Sequence, residues 1–235
     1  MVSKDLHLYE AMILLALRDE EGTVESGAMY HYAVGGAILA ELLLSRRIRI
    51  EEAKRKKKLV TLLSAEPVGD DLIDECLDRV ATAKRRRAPA GWVSCFASLK
   101  RLKHRAVESL CRRGILAADE DKVLLIFSRS IYPEIDPEPE RQLIGRLEKA
   151  IFTDTEDIDP ETVVLVSLAN STNILRAAFD KKELKARKKR IEQIVNGECT
   201  GKAAKEAIEA AQMAVMVACL MPAVMTTVMT TTATR

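Results

Sequence analysis

The sequence predicts a mainly α protein: a single compact helical domain over residues 1–221, around a central helical bundle with small β-hairpins, then a flexible tail over 222–235. Three observations carry this. Apolar residues recur at helical spacing through most of the chain. One segment, Tyr30–Arg46, is apolar nearly all round and so belongs at the centre of a bundle. One construction occurs twice, a helix that ends in a basic pair and an Ile and runs into short apolar strands joined by a charged turn.

Leu6–Arg18 sets Leu8, Met12 and Leu15 at helical spacing and stops at Asp19-Glu-Glu-Gly22, where the Gly suits a left-handed turn. In Tyr30–Arg46 the small residues Ala33, Gly35, Gly36, Ala37 and Ala40 let neighbouring helices approach closely. The first copy of the repeat then gives Glu41–Ile48, a lysine-rich turn and the strand Leu59–Leu63. Asp70–Ala83 follows Gly69 with acidic residues in its first turn, which suits the helix dipole, and with Leu72, Ile73, Cys76, Leu77 and Val80 on one face. Its acidic set Asp71, Asp74, Glu75 and Asp78 has no His or Asn partner and reads as a solvated face, not a metal site.

Ala83–Trp92, with Pro89 and Gly91, reads as a loop, and Val93–Arg113 as one helix with Phe96, Leu99, Leu102, Ala106 and Leu110 inward. The second copy of the repeat supplies a hairpin over Ile115–Phe127. Further helices are expected over Glu140–Phe152, from Asp159-Pro160 to Ala169 with Pro at the first helical position, Thr172–Phe179, Lys181–Asn196 and Ala203–Leu220.

Net charge is only +2, from 37 basic and 35 acidic side chains, so attraction to an anionic partner must come from local clusters. Such clusters stand at Lys54–Lys58, Lys84–Arg87, Lys100–Arg105 and Lys181–Arg190. A solvated helix face or turn is the ordinary reading of any one run. Five scattered cysteines without a Cys-x-x-Cys pair argue against a disulfide framework or zinc site and suit a reducing cytoplasm. Met1-Val-Ser-Lys-Asp lacks the pattern of a secretion signal, and the apolar run Met213–Met225 falls short of the roughly 20 residues that span a bilayer.

No nucleotide loop, zinc motif or nucleophile elbow is present, and His7, His31 and His104 lack metal-ligand spacing. The expectation is a protein without catalysis, cofactor or metal. What remains is a binder of polyanions. As a winged-helix-like nucleic-acid binder, Val93–Arg113 would be the recognition helix and Ile115–Phe127 the wing. However, the wing tip Asp119-Glu120-Asp121 would repel phosphates, and with 4% aromatic residues few rings are available to stack bases, so nucleic acid is the less favoured partner. As a lipid binder, cations on one surface would hold the protein at an anionic bilayer, each contributing about 1 kcal/mol.

The residues themselves carry a resemblance. Gly35-Gly36-Ala-Ile-Leu-Ala-Glu41 with Arg46-Arg47-Ile48, Pro67-Val-Gly-Asp-Asp-Leu-Ile-Asp-Glu75, Glu108-Ser-Leu-Cys-Arg-Arg-Gly114-Ile-Leu116, Val123–Phe127 and Asp159–Ser171 stand in the order of the Golgi phosphoprotein 3 family. The chain resembles that family over nearly its whole length. The resemblance implies one helical fold, no catalysis, peripheral binding to phosphatidylinositol 4-phosphate on the cytosolic face of a membrane, and an adaptor role toward protein cargo.

It further implies headgroup contacts at Lys100 and Lys103, where the family has two arginines; the basic pair Arg46 and Arg47, the cationic shoulder of the first repeat, is expected to bind headgroups as well. The hairpin Val123, Leu124, Leu125, Ile126 and Phe127 is expected to touch the membrane or mediate self-association into a homo-oligomer. The family's pocket Trp falls here at Ser26 or Gly27 and a further Arg at Val34 or Gly35, so both are lost. A protein-interaction scaffold whose lipid site has decayed is the third reading.

Overall fold

A computed structural model describes residues 6–17, 26–53, 56–117 and 132–199. These form helices α1 (Leu8–Ala16) and α2 (Ser26–Leu44), the antiparallel strands β1 (Ile48–Ala53) and β2 (Lys57–Leu62), and helices α3 (Asp71–Ala81), α4 (Pro89–Ala97), α5 (Leu102–Arg112), α6 (Glu138–Phe152), α7 (Pro160–Ser171), α8 (Leu175–Ala178), α9 (Lys181–Ala186) and α10 (Lys188–Val195). The mainly α fold expected from the sequence is the one observed. The second hairpin with Val123–Phe127, the helix Ala203–Leu220 and the tail 222–235 lie outside the described residues.

The apolar helix α2 is the centre, packed by α1, α4 and α7 and touched by α3 and β1. Ala33, Val34, Ala37, Ile38, Leu39 and Ala40 are fully buried. Gly35 sets the closest approach: a Cβ there would come within 2.8 Å of the Val93 carbonyl oxygen and 3.1 Å of the Ala97 nitrogen on α4. The small residues therefore bring two backbones together.

Polar side chains secure the helix starts. Asp70 caps α3, its carboxylate accepting from Leu72 N at 3.0 Å and Ile73 N at 2.9 Å, while its other oxygen takes the Tyr9 hydroxyl at 2.8 Å. Asp159 caps α7 ahead of Pro160, as the sequence indicates. Of the acidic set on α3, Asp78 is solvated as expected but the other three are engaged. Asp71 pairs with Arg112, Asp74 accepts from the backbone of Val68 and Gly69, and Glu75 pairs with Arg79 and Arg105.

The repeated construction has a physical basis in how its two helices end. Arg47 N–H reaches back to the Leu42 carbonyl at 2.9 Å across Arg46, which adopts φ 55°, and Ile115 N–H reaches Leu110 at 3.0 Å across Gly114 at φ 72°. Both are six-residue closures through a left-handed residue. Arg46 is thus the counterpart of Gly114 and takes a conformation that favours glycine.

Helix boundaries differ from the sequence reading in several places: α2 begins at Ser26 ahead of Tyr30, the helix expected over Thr172–Phe179 narrows to Leu175–Ala178, and two long helices are broken. Val93–Arg113 is two helices, because Ser98–Arg101 forms a turn with Leu99 N donating to Phe96 O, Leu102 N donating to Leu99 O and Arg101 left-handed at φ 56°. The break allows Leu99 and Leu102 both to face the core. The preceding loop is shorter than expected, since Pro89 opens α4. Lys181–Asn196 divides at Arg187, whose guanidinium leaves the helix line for Asp154 at 3.1 Å and the Phe152 carbonyl.

In the hairpin, Ile48, Ile50, Val60 and Leu62 share the inward face, and Arg49, Glu51 and Thr61 the other. The loop before α4 lines the outer side of β2, with Val60 N–H donating to the Arg87 carbonyl at 2.9 Å.

Candidate functional site

Four cations were expected at a headgroup, and the fold divides them into two pairs. Lys100 lies exposed in the turn between α4 and α5, and Lys103 is the second residue of α5. The Lys103 ammonium sits 6.0 Å from the centre of the Tyr30 ring, near the start of α2. Arg46 and Arg47 follow the other end of α2, and Tyr30 and Leu44 are separated by about 21 Å of helix. The fold does not bring the two pairs to one place.

Lys100 and Lys103 do not share a helix face as residues three apart on an unbroken helix would, because left-handed Arg101 intervenes. Lys100 and Arg101 are exposed and make no ion pair among the described residues. No side chain caps α5, so its first N–H groups and these cations form one positive corner. Burial pulls the Lys103 ammonium down to about 8, and His31, edge-on to Tyr30 at 6.0 Å, is also lowered by burial and by Lys103. Tyr30 and His31 were missed as site residues. The aromatic run Tyr30-His31-Tyr32 just before the double Gly was the available signal.

Arg46 is exposed, whereas Arg47 is half-buried and held, its guanidinium 3.4 Å from both Glu66 and the Pro67 carbonyl. Arg47 therefore fastens the chain after β2. At the positions where the resemblance puts the family's further Arg, Val34 is fully buried and Gly35 abuts α4. Trp92 is no substitute, being 2% exposed beneath the Arg87 guanidinium, 5.1 Å from its ring centre.

A cleft of about 770 Å³ opens elsewhere, lined by Glu10, Glu41, Asp70, Asp71 and Glu161 with Arg112 and Arg113. Its carboxylates are engaged in structure. Glu10, fully buried, pairs with Arg113 and accepts from Ser109 at 2.8 Å and His7 N at 2.9 Å. Glu41 pairs with His7 and accepts from Leu8 N at 2.9 Å. Excess negative charge makes this cleft unfavourable for a phosphate, in contrast to the Lys100–Lys103 corner.

Among the described residues no helix is long and apolar enough to cross a membrane, and no group of His, Cys, Asp and Glu could hold a metal ion. The fold is a helical bundle that carries a cationic corner at the start of α5. A model of the Golgi phosphoprotein 3 (GPP34) family matches residues 8–211, and the chain belongs to that family.

Proposed function

We propose that this protein is a non-catalytic peripheral membrane protein that binds anionic phospholipid headgroups, with phosphatidylinositol 4-phosphate as the ligand its family membership favours. The observation that carries the reading is the corner where Lys103 lies over Tyr30 while Lys100 and Arg101 stand exposed beside the uncapped start of α5. Phosphate oxygens would accept from the ammonium groups, with the positive end of the α5 dipole beside them. Lysines supply charge without the planar fork of arginine, so selectivity for one phosphate position is expected to be weaker than a pair of arginines would give.

The protein would then work on the cytosolic face of a membrane. Self-association through Val123–Phe127 and capture of protein cargo belong to the same reading, and measuring mass in solution with and without substitutions in that segment tests the former.

Flotation with liposomes tests the central proposal. Binding to vesicles with the 4-phosphate lipid is expected to exceed binding to phosphatidylserine vesicles of equal charge, and Lys100→Ala with Lys103→Ala is expected to abolish the difference. Equal binding to both vesicles by the unaltered protein would refute 4-phosphate recognition. Retention only on DNA, with a steep salt dependence, would move the protein to the nucleic-acid class. Loss of both activities would leave the scaffold reading.

A further inference from the structure

The hairpin and the loop before α4 hold a second cationic surface, remote from the headgroup corner. Among the described residues of β1, β2 and the segment 84–87, seven cations stand with only two carboxylates, Glu51 and Glu52. In a protein of net charge +2 this is a strong local excess. Arg49 and Arg86 are used by Glu51, at 2.5 and 3.0 Å, and Arg86 also donates to Thr61 at 3.2 Å. Arg87 lies on Trp92. Lys57, Lys58, Lys84 and Arg85 are exposed and make no ion pair among the described residues.

This surface is fixed in place by the backbone bond from Val60 to Arg87 and by the bonds of Arg86 to both Glu51 and Thr61. Some exposed cations elsewhere are paired, Arg112 with Asp71 and Arg141 with Glu138, while Lys181, Lys182, Lys185 and Lys189 are exposed without an ion pair among the described residues but stand on helices with no such backbone tie to a neighbouring strand.

We propose that Lys57, Lys58, Lys84 and Arg85 form a second bilayer contact that reads the bulk acidic lipid, and that the protein lies with α4 along the membrane between this surface and the headgroup corner. The orientation rests on the headgroup reading above. The two contacts sit at opposite ends of α4, whose nine residues alone span about 13 Å. That exceeds the Debye length of roughly 8 Å at physiological ionic strength, so each acts independently of the other. Trp92 is buried beneath Arg87, so the surface presents charge without a ring on which to stack a base. A bilayer of acidic lipid fits it better than a single strand of nucleic acid.

Flotation of the full chain on three vesicle types tests this: phosphatidylcholine with the 4-phosphate lipid, the same with added phosphatidylserine, and phosphatidylcholine with phosphatidylserine alone. Adding phosphatidylserine is expected to strengthen binding of the unaltered protein. Lys84→Ala with Arg85→Ala is expected to remove that gain, a loss on the order of tenfold. Lys57→Ser with Lys58→Ser, on a separate element, is expected to do the same, and thermal melts identify any variant that fails to fold. Combined with Lys100→Ala, the losses are expected to multiply. A gain from phosphatidylserine that survives in both folded double variants would overturn the proposal. So would loss of DNA retention in these variants with the lipid gain intact. If the unaltered protein ignores the 4-phosphate lipid yet keeps a gain dependent on Lys84 and Arg85, the headgroup reading fails and this one stands.

Discussion

The Lys103 ammonium lies 6.0 Å from the centre of the Tyr30 ring, joining the start of α5 to the first half of α2. The ring's negative face favours the cation, but burial opposes its charge more strongly and pulls it down to about 8. An anionic headgroup would restore the proton. Headgroup binding is therefore expected to weaken as pH rises from 7 to 9, and Lys103→Arg, which stays charged, is expected to flatten that profile in vesicle titrations. A lysine profile as flat as the arginine one would remove Lys103 from the contact.

Glu10 on α1 and Arg113 after α5 form an ion pair with the carboxylate fully buried. Glu10→Ala would leave the guanidinium only 15% exposed and without its carboxylate, and also strip a partner from Ser109 and from the backbone of His7. The expected loss is about 3–5 kcal/mol in urea unfolding. A loss under 1 kcal/mol would show that the pair holds nothing in place.

Gly35→Ala would drive a methyl group to 2.8 Å from the Val93 carbonyl oxygen, an atom of the backbone that cannot turn aside. Overpacking of this kind costs about 1–3 kcal/mol. Gly145→Ala, with open space around its Cβ position, is the matched control and is expected to be neutral or slightly stabilising.

Arg46 holds φ 55° where its counterpart is Gly114. Arg46→Gly is expected to stabilise the protein by up to about 1 kcal/mol, since a side chain in that region costs roughly 1–2 kcal/mol and glycine returns part of it as chain entropy. A lower midpoint in thermal or urea unfolding would contradict this.

His7 is raised above its ordinary 6.5: burial alone would lower it, but the hydrogen bond and charge of Glu41, with Glu10 and Asp70 nearby, prevail. A histidine with a higher value folded than unfolded binds its proton more tightly in the native state. Its contribution is thus complete below pH 6.5 and disappears as pH climbs through the raised value. Unfolding free energy is expected to fall across that range, and the His7→Ala protein is expected to lack this step.

The sequence was most legible where one cause acted alone. The all-round apolar α2 could only be central, its small residues could only mean close neighbours, and Asp159-Pro160 could only open a helix. The turn at Ser98–Arg101 was hidden because Leu99 and Leu102 keep the spacing of a continuous helix while the backbone between them does not. The boundary at Arg187 was hidden because its cause is a partner 33 residues away, Asp154. For the site, the cations were visible and their grouping was not. Sequence separation gave no sign that Tyr30 meets Lys103, nor that Arg47 is held by Glu66 and Pro67 while Lys84 and Arg85 stay open.

The bond from Val60 N–H to the Arg87 carbonyl has a consequence for crowding on a membrane. A bilayer gathers its ligands into two dimensions, where a strand with unsatisfied amides would recruit copies of itself into fibrils. The segment before α4 already occupies that amide, which blunts the β2 edge at its middle. Copies gathered on a bilayer, as the proposed function has them, would meet a covered strand at Val60.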